Sequence, residues 1–332
     1  MIISRTPFRI SFFGGGTDYP GYFKNHPGAV LATTIDKYCY ITVRQLPPFF
    51  DHKHRIVYSK MERVTGTDEI EHPSVRECLK FMNVTHGVEI HHDSDLPARS
   101  GLGSSSSFTV GLLKALYAMQ GKIVDSAALF RSAIHVEQDI IHENVGCQDQ
   151  ATAAFGGFNH ITFSPQKLAD VHPVIAKPKR LEDLCNHLLL FFTGVSRNAH
   201  EVAAEQIQNI PRKTNELQDM YRMVGEALKI VGSDGDLLDF GRLLHEAWTL
   251  KKSLSSKISS SSIDDVYKLA RKSGAVGGKL LGAGGGGFFL VFAKPEDHTK
   301  IRFALGHLLY VPFRFESTGS QIIFYQADLL AA

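Results

Sequence analysis

Residues 96–108 read LPARSGLGSSSSF, with two glycines and five serines packed into the eight residues 100–107. The stretch is held between two ordered elements. Before it, VEIHH (88–92) has the apolar pattern of a strand. After it, Phe108, Val110, Leu112, Leu113, Leu116 and Met119 recur at helical spacing up to a stop at Gly121. A flexible linker does not fit so tight a connection. At the start of a helix the first backbone N–H groups lack intrahelical partners and the helix dipole favours anions. Glycines let the backbone approach a phosphate closely, and serine hydroxyls donate to phosphate oxygens or ligate Mg²⁺. The stretch is therefore read as a phosphate-binding loop, with Gly101, Leu102, Gly103, Ser104, Ser105 and Ser106 as its contacts. A Walker-type P-loop would need GxxxxGK[ST], and no lysine stands at the loop's end.

A second cluster, Gly282-Ala283-Gly284-Gly285-Gly286-Gly287, formally matches the dinucleotide fingerprint GxGxxG. That fingerprint must open a helix, whereas here it precedes the strand pattern Phe288–Phe292, so the Rossmann reading fails on context. What remains is a tight backbone turn near a ligand or a packed strand.

The chain of 332 residues is long enough for two domains or one large one, and the expectation is an α+β fold in two halves, 1–170 and 171–332. Cys39, Ile41 and Val43 alternate with Tyr40, Thr42 and Arg44, which predicts a half-buried strand. Further strands are expected at 55–59, 88–92 and 158–163, and helices at about 126–142, 198–231 and 236–252. The serine run 253–262 reads as a solvated loop, Ser262-x-x-Asp265 as a helix cap, and 317–320 as the turn of a terminal hairpin. A formal net charge of +2 argues against a nucleic-acid partner. The four cysteines stand far apart with no CxxC pair and are expected to be buried, reduced thiols. No apolar run approaches a membrane span, and Arg5 and Arg9 interrupt any signal-peptide core, so a cytoplasmic protein is expected.

Glu137 has Ala133, Ile134, Ile140 and Ile141 as its helical neighbours, so its carboxylate points along an apolar stripe. A buried carboxylate must be paired, protonated or bound to metal. A salt bridge to Arg131 and ligation of Mg²⁺ both satisfy that demand. Asp149, in Gly146-Cys147-Gln148-Asp149-Gln150, is either a helix cap or a functional carboxylate. Arg9 lies on a short strand, and Asp18 follows three glycines, where an ordinary turn residue is equally at home.

Together these pieces resemble the GHMP kinases. Arg9 with Gly15-Gly16-Thr17-Asp18, then Gly101–Ser105, then Gly146–Gln150, then Lys279-Leu280-Leu281-Gly282-Ala283-Gly284 stand in that superfamily's order, over residues 5 to about 292. The resemblance implies an N-terminal domain of the ribosomal S5 domain 2-like type, a ferredoxin-like C-terminal domain, and an active site between them. It implies that the 101–106 loop wraps the phosphates of ATP, that Ser105 and Glu137 hold Mg²⁺, and that Asp149 accepts the proton of a sugar hydroxyl. It also implies that Arg9 keeps Asp149 ionised and that Gly16, Thr17 and Asp18 meet the sugar. PFRISFFGGGTDYPGYF and GCQDQATAAFGGFN look most like members acting on D-glycero-D-manno-heptose 7-phosphate.

The expectation is thus an ATP- and Mg²⁺-dependent sugar kinase making the 1,7-bisphosphate on the way to nucleotide-activated heptose for surface polysaccharide. Its partners would be small molecules, with no membrane or nucleic acid, in a monomer or homodimer. A kinase of a free sugar such as fucose, and a non-catalytic ATP- and sugar-binding regulator, are the alternatives. Galactokinases carry Glu-His where this chain has Gly15-Gly16, which argues against galactose; Arg99 and Leu281 also depart from the family pattern. For the sugar's phosphate the candidates are Arg197 and His200, and Lys251-Lys252, which equally suit a solvated helix end.

Overall fold

Alternation along one long segment sets the first sheet. The computed structural model describes residues 1–98, 100–194 and 199–326. Its strands are β1 (Ile2–Phe13), β2 (Gly28–Gln45), β3 (His54–Val57), β4 (Met61–Val64), β5 (Val88–Ser94), β6 (Phe158–Phe163), β7 (Asp170–Pro173), β8 (Leu188–Phe192), β9 (Gly277–Leu280), β10 (Phe288–Phe292), β11 (Leu309–Tyr310), β12 (Phe315–Glu316) and β13 (Gln321–Tyr325). In β2 the residues Cys39, Ile41 and Val43 are fully buried while their neighbours are half-buried, as the period of two requires. Being 18 residues long, β2 pairs along one edge with β1. Along its other edge it pairs with β6 at Gly28–Thr33, with β12 at Thr34 and Ile35, and with β5 at Cys39–Gln45. The path through the sheet is β13-β1-β2-β5-β3-β4, with β3 parallel to β5. A second, antiparallel sheet has the order β11-β8-β10-β9.

The helices are α1 (Pro20–Phe23), α2 (Pro73–Phe81), α3 (Ser104–Met119), α4 (Ser126–Ile134), α5 (Gln148–Phe155), α6 (Pro178–Asn186), α7 (Ala199–Asn209), α8 (Thr214–Gly232), α9 (Leu238–Lys252), α10 (Ser261–Lys272) and α11 (His298–Ala304). Helix α3 packs on β1 and β2, and α8 and α9 also reach β1. Helix α9 further packs on β9, so it touches both sheets. This is the α+β arrangement expected. All four cysteines are buried and free. No helix among the described residues is long and apolar enough to cross a membrane.

Several local expectations are corrected. The terminal hairpin does not form: β12 pairs with β2 and β13 with β1, so the end of the chain returns to the first sheet. The turn between them is anchored elsewhere, with Ser320 N–H donating to the Ala153 carbonyl at 2.9 Å and the Ser320 and Thr6 hydroxyls 2.8 Å apart. The helix expected over 198–231 is broken at Ile210-Pro211-Arg212, because proline removes a backbone donor and clashes with the preceding turn. The helix expected to run to His142 changes at His135–Ile140 into a π-helical turn. The cap of α10 is Ser260, which accepts from Ile263 N–H, not Ser262.

Phe240, on α9, is the wedge that ties the sheets together. Its ring lies 5.4 Å and 5.1 Å from Phe12 and Phe13 of β1 and 6.0 Å from Phe292 of β10. Phe240→Ala is expected to cost about 3–5 kcal/mol through lost contacts and a cavity at this junction. Urea denaturation checks the value, and Phe240→Leu should lose clearly less.

Candidate active site

The bulged strand β1 delivers the first residue, Arg9. Arg9 is almost fully buried, and its guanidinium forks onto Asp149, Nε donating to Oδ1 at 2.7 Å and Nη2 to Oδ2 at 2.9 Å. Its third arm, Nη1, donates to the Gly101 carbonyl at 2.6 Å, and Arg9 N–H donates to the Leu102 carbonyl at 3.1 Å. One side chain thus clamps strand β1, helix α5 and the 101–106 loop. A bidentate, charge-assisted fork is the geometry guanidinium and carboxylate prefer. Asp149 lies inside the first turn of α5 and makes no cap, which removes the capping alternative.

Gly103 precedes α3 with φ of 78°, the left-handed region that glycine enters without strain. A β-carbon there would sit 3.2 Å from Arg9 Cγ and 3.5 Å from Asp149 Cγ, so the loop touches the ion pair backbone-first. Asp18 is buried beside it. Its Oδ1 accepts from Gly16 N–H at 2.9 Å and its Oδ2 from Gln148 N–H at 3.4 Å, while its carbonyl accepts from Cys147 N–H at 3.1 Å. Asp18 is therefore both the turn residue and a neighbour of Asp149. Burial, with the nearby negative charge of Asp149, raises its carboxyl above the usual range. Thr17 is spent on structure, its hydroxyl donating to the Gly14 and Ala29 carbonyls.

Glu137 is fully buried and has no cation within ion-pair distance among the described residues, so the salt bridge to Arg131 is not formed. The π-helical turn aims it at α3 and α5, where Oε2 accepts from the Ser106 hydroxyl at 2.9 Å and from the Gln150 amide. Oε1 has no hydrogen-bond partner. Burial, then the charge of Glu143, pushes this carboxyl up to about 7. Ser106 is the hydroxyl that meets Glu137, while Ser105 is exposed. Neighbouring helical residues project about 100° apart, and here Ser106 is the one facing Glu137.

The orphaned Oε1, a hydroxyl and the start of α3 fit a divalent cation of the Mg²⁺ type, which takes few protein ligands and completes its shell with phosphates and water. No cluster of three or more His, Cys, Asp or Glu suited to a metal exists among the described residues, so such a cation would depend on the nucleotide's phosphates.

Two lysines, one opening the third motif and one a candidate for the sugar's phosphate, also belong to this centre. Lys279, buried on β9, donates to the carbonyls of Ser11 and Phe12 at 2.8 Å each and pins the second sheet to the β1 bulge. Lys251, expected either to meet the sugar's phosphate or to lie at a solvated helix end, is buried and donates to the Gly282 carbonyl. Lys252 does face outward, pairing with Asp264 at 3.0 Å. Only spacing from Trp248 and the following Leu254 could have hinted that α9 turns Lys251 inward. Arg197 and Arg99 lie outside the described residues, as does the side chain of His200.

The comparisons with known proteins agree with this arrangement. Residues 73–157 match the GHMP kinases N terminal domain, and residues 224–309 match GHMP kinases C terminal. The chain is 30 % identical to a D-glycero-alpha-D-manno-heptose 7-phosphate kinase of Campylobacter jejuni, over 89 % of this chain and 90 % of that one. It is 26 % identical to an L-fucokinase/L-fucose-1-P guanylyltransferase of Bacteroides fragilis, over 91 % of this chain and 36 % of that larger protein. In fold it superposes on a D-glycero-D-manno-heptose 1-phosphate kinase from Bacteroides thetaiotaomicron with a TM-score of 0.78, covering 98 % and 100 % of the two chains at 23 % identity. The chain belongs to the GHMP kinases. It is a sugar kinase of that family, a phosphotransferase that uses ATP and an alcohol group as acceptor.

The position of Glu137 makes a prediction independent of activity. A carboxyl raised from its ordinary 4.5 to about 7 keeps its proton in the fold while the unfolded chain has lost it. The stability this proton confers is present below about pH 4.5 and is lost as pH rises through about 7. Between about pH 5 and pH 8 the wild type should lose on the order of 1–3 kcal/mol more than Glu137→Gln. Urea midpoints across that range, without added divalent cation, check it.

Proposed function

We propose that this kinase transfers the γ-phosphoryl group of ATP to the anomeric hydroxyl of D-glycero-D-manno-heptose 7-phosphate, giving the 1,7-bisphosphate. The observation that carries the reading is the Arg9–Asp149 fork at the mouth of α3, a buried guanidinium paired with a carboxylate and set against the glycine–serine loop. The choice of sugar draws on the heptose 7-phosphate kinase of Campylobacter jejuni and on the absence of the galactokinase Glu-His before Thr17-Asp18. A product of this kind would feed nucleotide-activated heptose for surface polysaccharide in the cytoplasm.

In this reading Gly101, Leu102, Gly103 and Ser104 present backbone N–H groups to the nucleotide phosphates, and the exposed Ser105 hydroxyl donates to them. Asp18, fixed by Gly16, accepts from a sugar hydroxyl and orients the ring. The attacking hydroxyl oxygen forms a bond to the γ-phosphorus as the bond to the β,γ-bridging oxygen breaks, and ADP leaves with that electron pair. Asp149 receives the hydroxyl proton. Arg9 holds Asp149 in place and offsets charge on the transferring group. Glu137 and Ser106 would hold Mg²⁺, which supplies charge neutralisation for the β- and γ-phosphates. A sensor would need no proton acceptor, so the Arg9–Asp149 fork speaks against the non-catalytic regulator. The resemblance to the Bacteroides fragilis fucokinase supports a free-sugar kinase as the second reading.

ADP release measured over a panel of heptose 7-phosphate, the same heptose without phosphate, fucose and galactose tests the assignment. The heptose 7-phosphate should be used best; equal kcat/KM with and without the phosphate would reject it in favour of the free sugar, because remote binding energy would then contribute nothing.

Asp149→Asn should lower kcat by about 10²–10⁴, with ATP affinity changed far less, as expected for loss of a positioned base. Mg²⁺ with a non-hydrolysable ATP analogue should raise the Tm of the wild type more than that of Glu137→Gln, since binding to the native state stabilises by mass action.

A further inference from the structure

Lys251 stands at the last turn of α9 with only 5 % of its surface exposed. Among the described residues no carboxylate lies within ion-pair distance of it, and its one hydrogen bond is to the Gly282 carbonyl. An ammonium has three donors, and burying it without a counter-charge is costly. Lys279 is equally buried, yet both its hydrogen bonds serve backbone carbonyls of β1. Arg9 is neutralised by Asp149. The cleft therefore holds one cation in excess over Asp18 and Asp149, and Lys251, with a single hydrogen bond, is the one with most donors left to offer.

Its address is defined through two carbonyls. Arg9 Nη1 binds the Gly101 carbonyl, and Lys251 Nζ binds that of Gly282. Those glycines are packed backbone to backbone, since a β-carbon on Gly282 would come within 2.5 Å of Gly101 Cα. The two cations thus flank one contact between the phosphate loop and the third glycine motif. This is the reacting end of the cleft, where Asp149 also stands.

We propose that Lys251 is a further catalytic residue of this kinase, its ammonium contacting the transferring phosphoryl group across the Gly101–Gly282 contact and offsetting its charge together with Arg9. The proposal rests on kinase chemistry at this site and not on the identity of the sugar. Lys251 neither gains nor loses a proton in the transfer; the hydroxyl proton goes to Asp149. The groups facing it are Arg9 on β1, Asp18 after β1, Asp149 on α5 and Lys279 on β9. Burial first, then the positive charge of Arg9, lowers its ammonium from 10.5 to about 8, against the opposing pull of Asp18 and Asp149. The charged form is therefore present below about pH 8 and fades above it, so kcat/KM should fall on the alkaline side in that region.

The experiment uses whichever sugar of the panel turns over. Lys251→Met should lower kcat on the order of 10²–10³, as removal of one preorganised charge donor does, with the KM values for ATP and sugar changed far less. Lys251→Arg should keep measurable turnover and lose the alkaline fall, because guanidinium stays charged. A Lys251→Met enzyme with near wild-type kcat, or a defect confined to KM for the sugar, would overturn the proposal. If Lys251→Met does not fold, the pH profile of Lys251→Arg decides: an alkaline fall unchanged from wild type rejects the role. If no sugar of the panel is phosphorylated by the wild type, the activity reading fails first, and ATP hydrolysis by the same variants still reads the effect of Lys251 on phosphoryl transfer to water.

Discussion

The fork between Arg9 and Asp149 is the constraint on which the rest of the site depends. Arg9 is 4 % exposed and Asp149 26 %, so the pair is largely desolvated and each charge needs the other. Satisfying the guanidinium also fixes the backbone, because its remaining arm takes the Gly101 carbonyl and its own N–H takes that of Leu102. Three segments far apart in the chain are thereby held at hydrogen-bond distance. The loop must then run past the pair without a side chain, and Gly103 supplies that clearance.

Around this fork, acids and bases are arranged so that charge is scarce and placed. Asp18 and Glu137 are both buried and both raised, the first mainly by burial beside Asp149, the second by burial with Glu143 nearby. They differ in satisfaction. Asp18 has backbone donors on both oxygens, whereas Glu137 keeps one oxygen free. A fully satisfied acid suits a fixed recognition role, and a half-satisfied one suits a ligand that arrives with the substrate. Lysines 251 and 279 divide in the same way, one with spare donors and one engaged by two carbonyls of β1.

The architecture explains how these groups meet. Strand β1 carries Arg9, leads into the Gly14–Gly16 turn before Asp18, and pairs with β13 from the far end of the chain. Helix α9 packs Phe240 against both sheets and carries Lys251 in its last turn, so the aromatic wedge and the buried cation ride on one rigid element. The second sheet is pinned to the first by Lys279, which sets the third glycine motif against the 101–106 loop.

Much of this was legible in the residues. The 101–106 loop is local, a strand, a glycine–serine turn and a helix start within one stretch, and the strand following Gly282–Gly287 excluded a dinucleotide fold by context. Glu137 was recognisable as a residue in need of a partner, because a charge among apolar neighbours announces a cost, whereas Arg9, Asp18 and Asp149 stood out only together, through the family resemblance. Which partner each takes was not legible. The π-helical turn at His135–Ile140 rotates Glu137 away from its i±4 neighbours and onto Ser106 and Gln150, and no periodicity of 3.6 contains that rotation. The return of β12 and β13 to the first sheet rests on pairings hundreds of residues apart. Lys251 reads as a surface lysine until α9 is docked on β9 and its end is covered. The sequence by itself determined the local backbone, the helix starts and turns and the residues that burial would make costly, since these follow from near neighbours. Only the tertiary structure decided the partners of the buried charges, because pairing depends on distances across elements that the chain order does not encode.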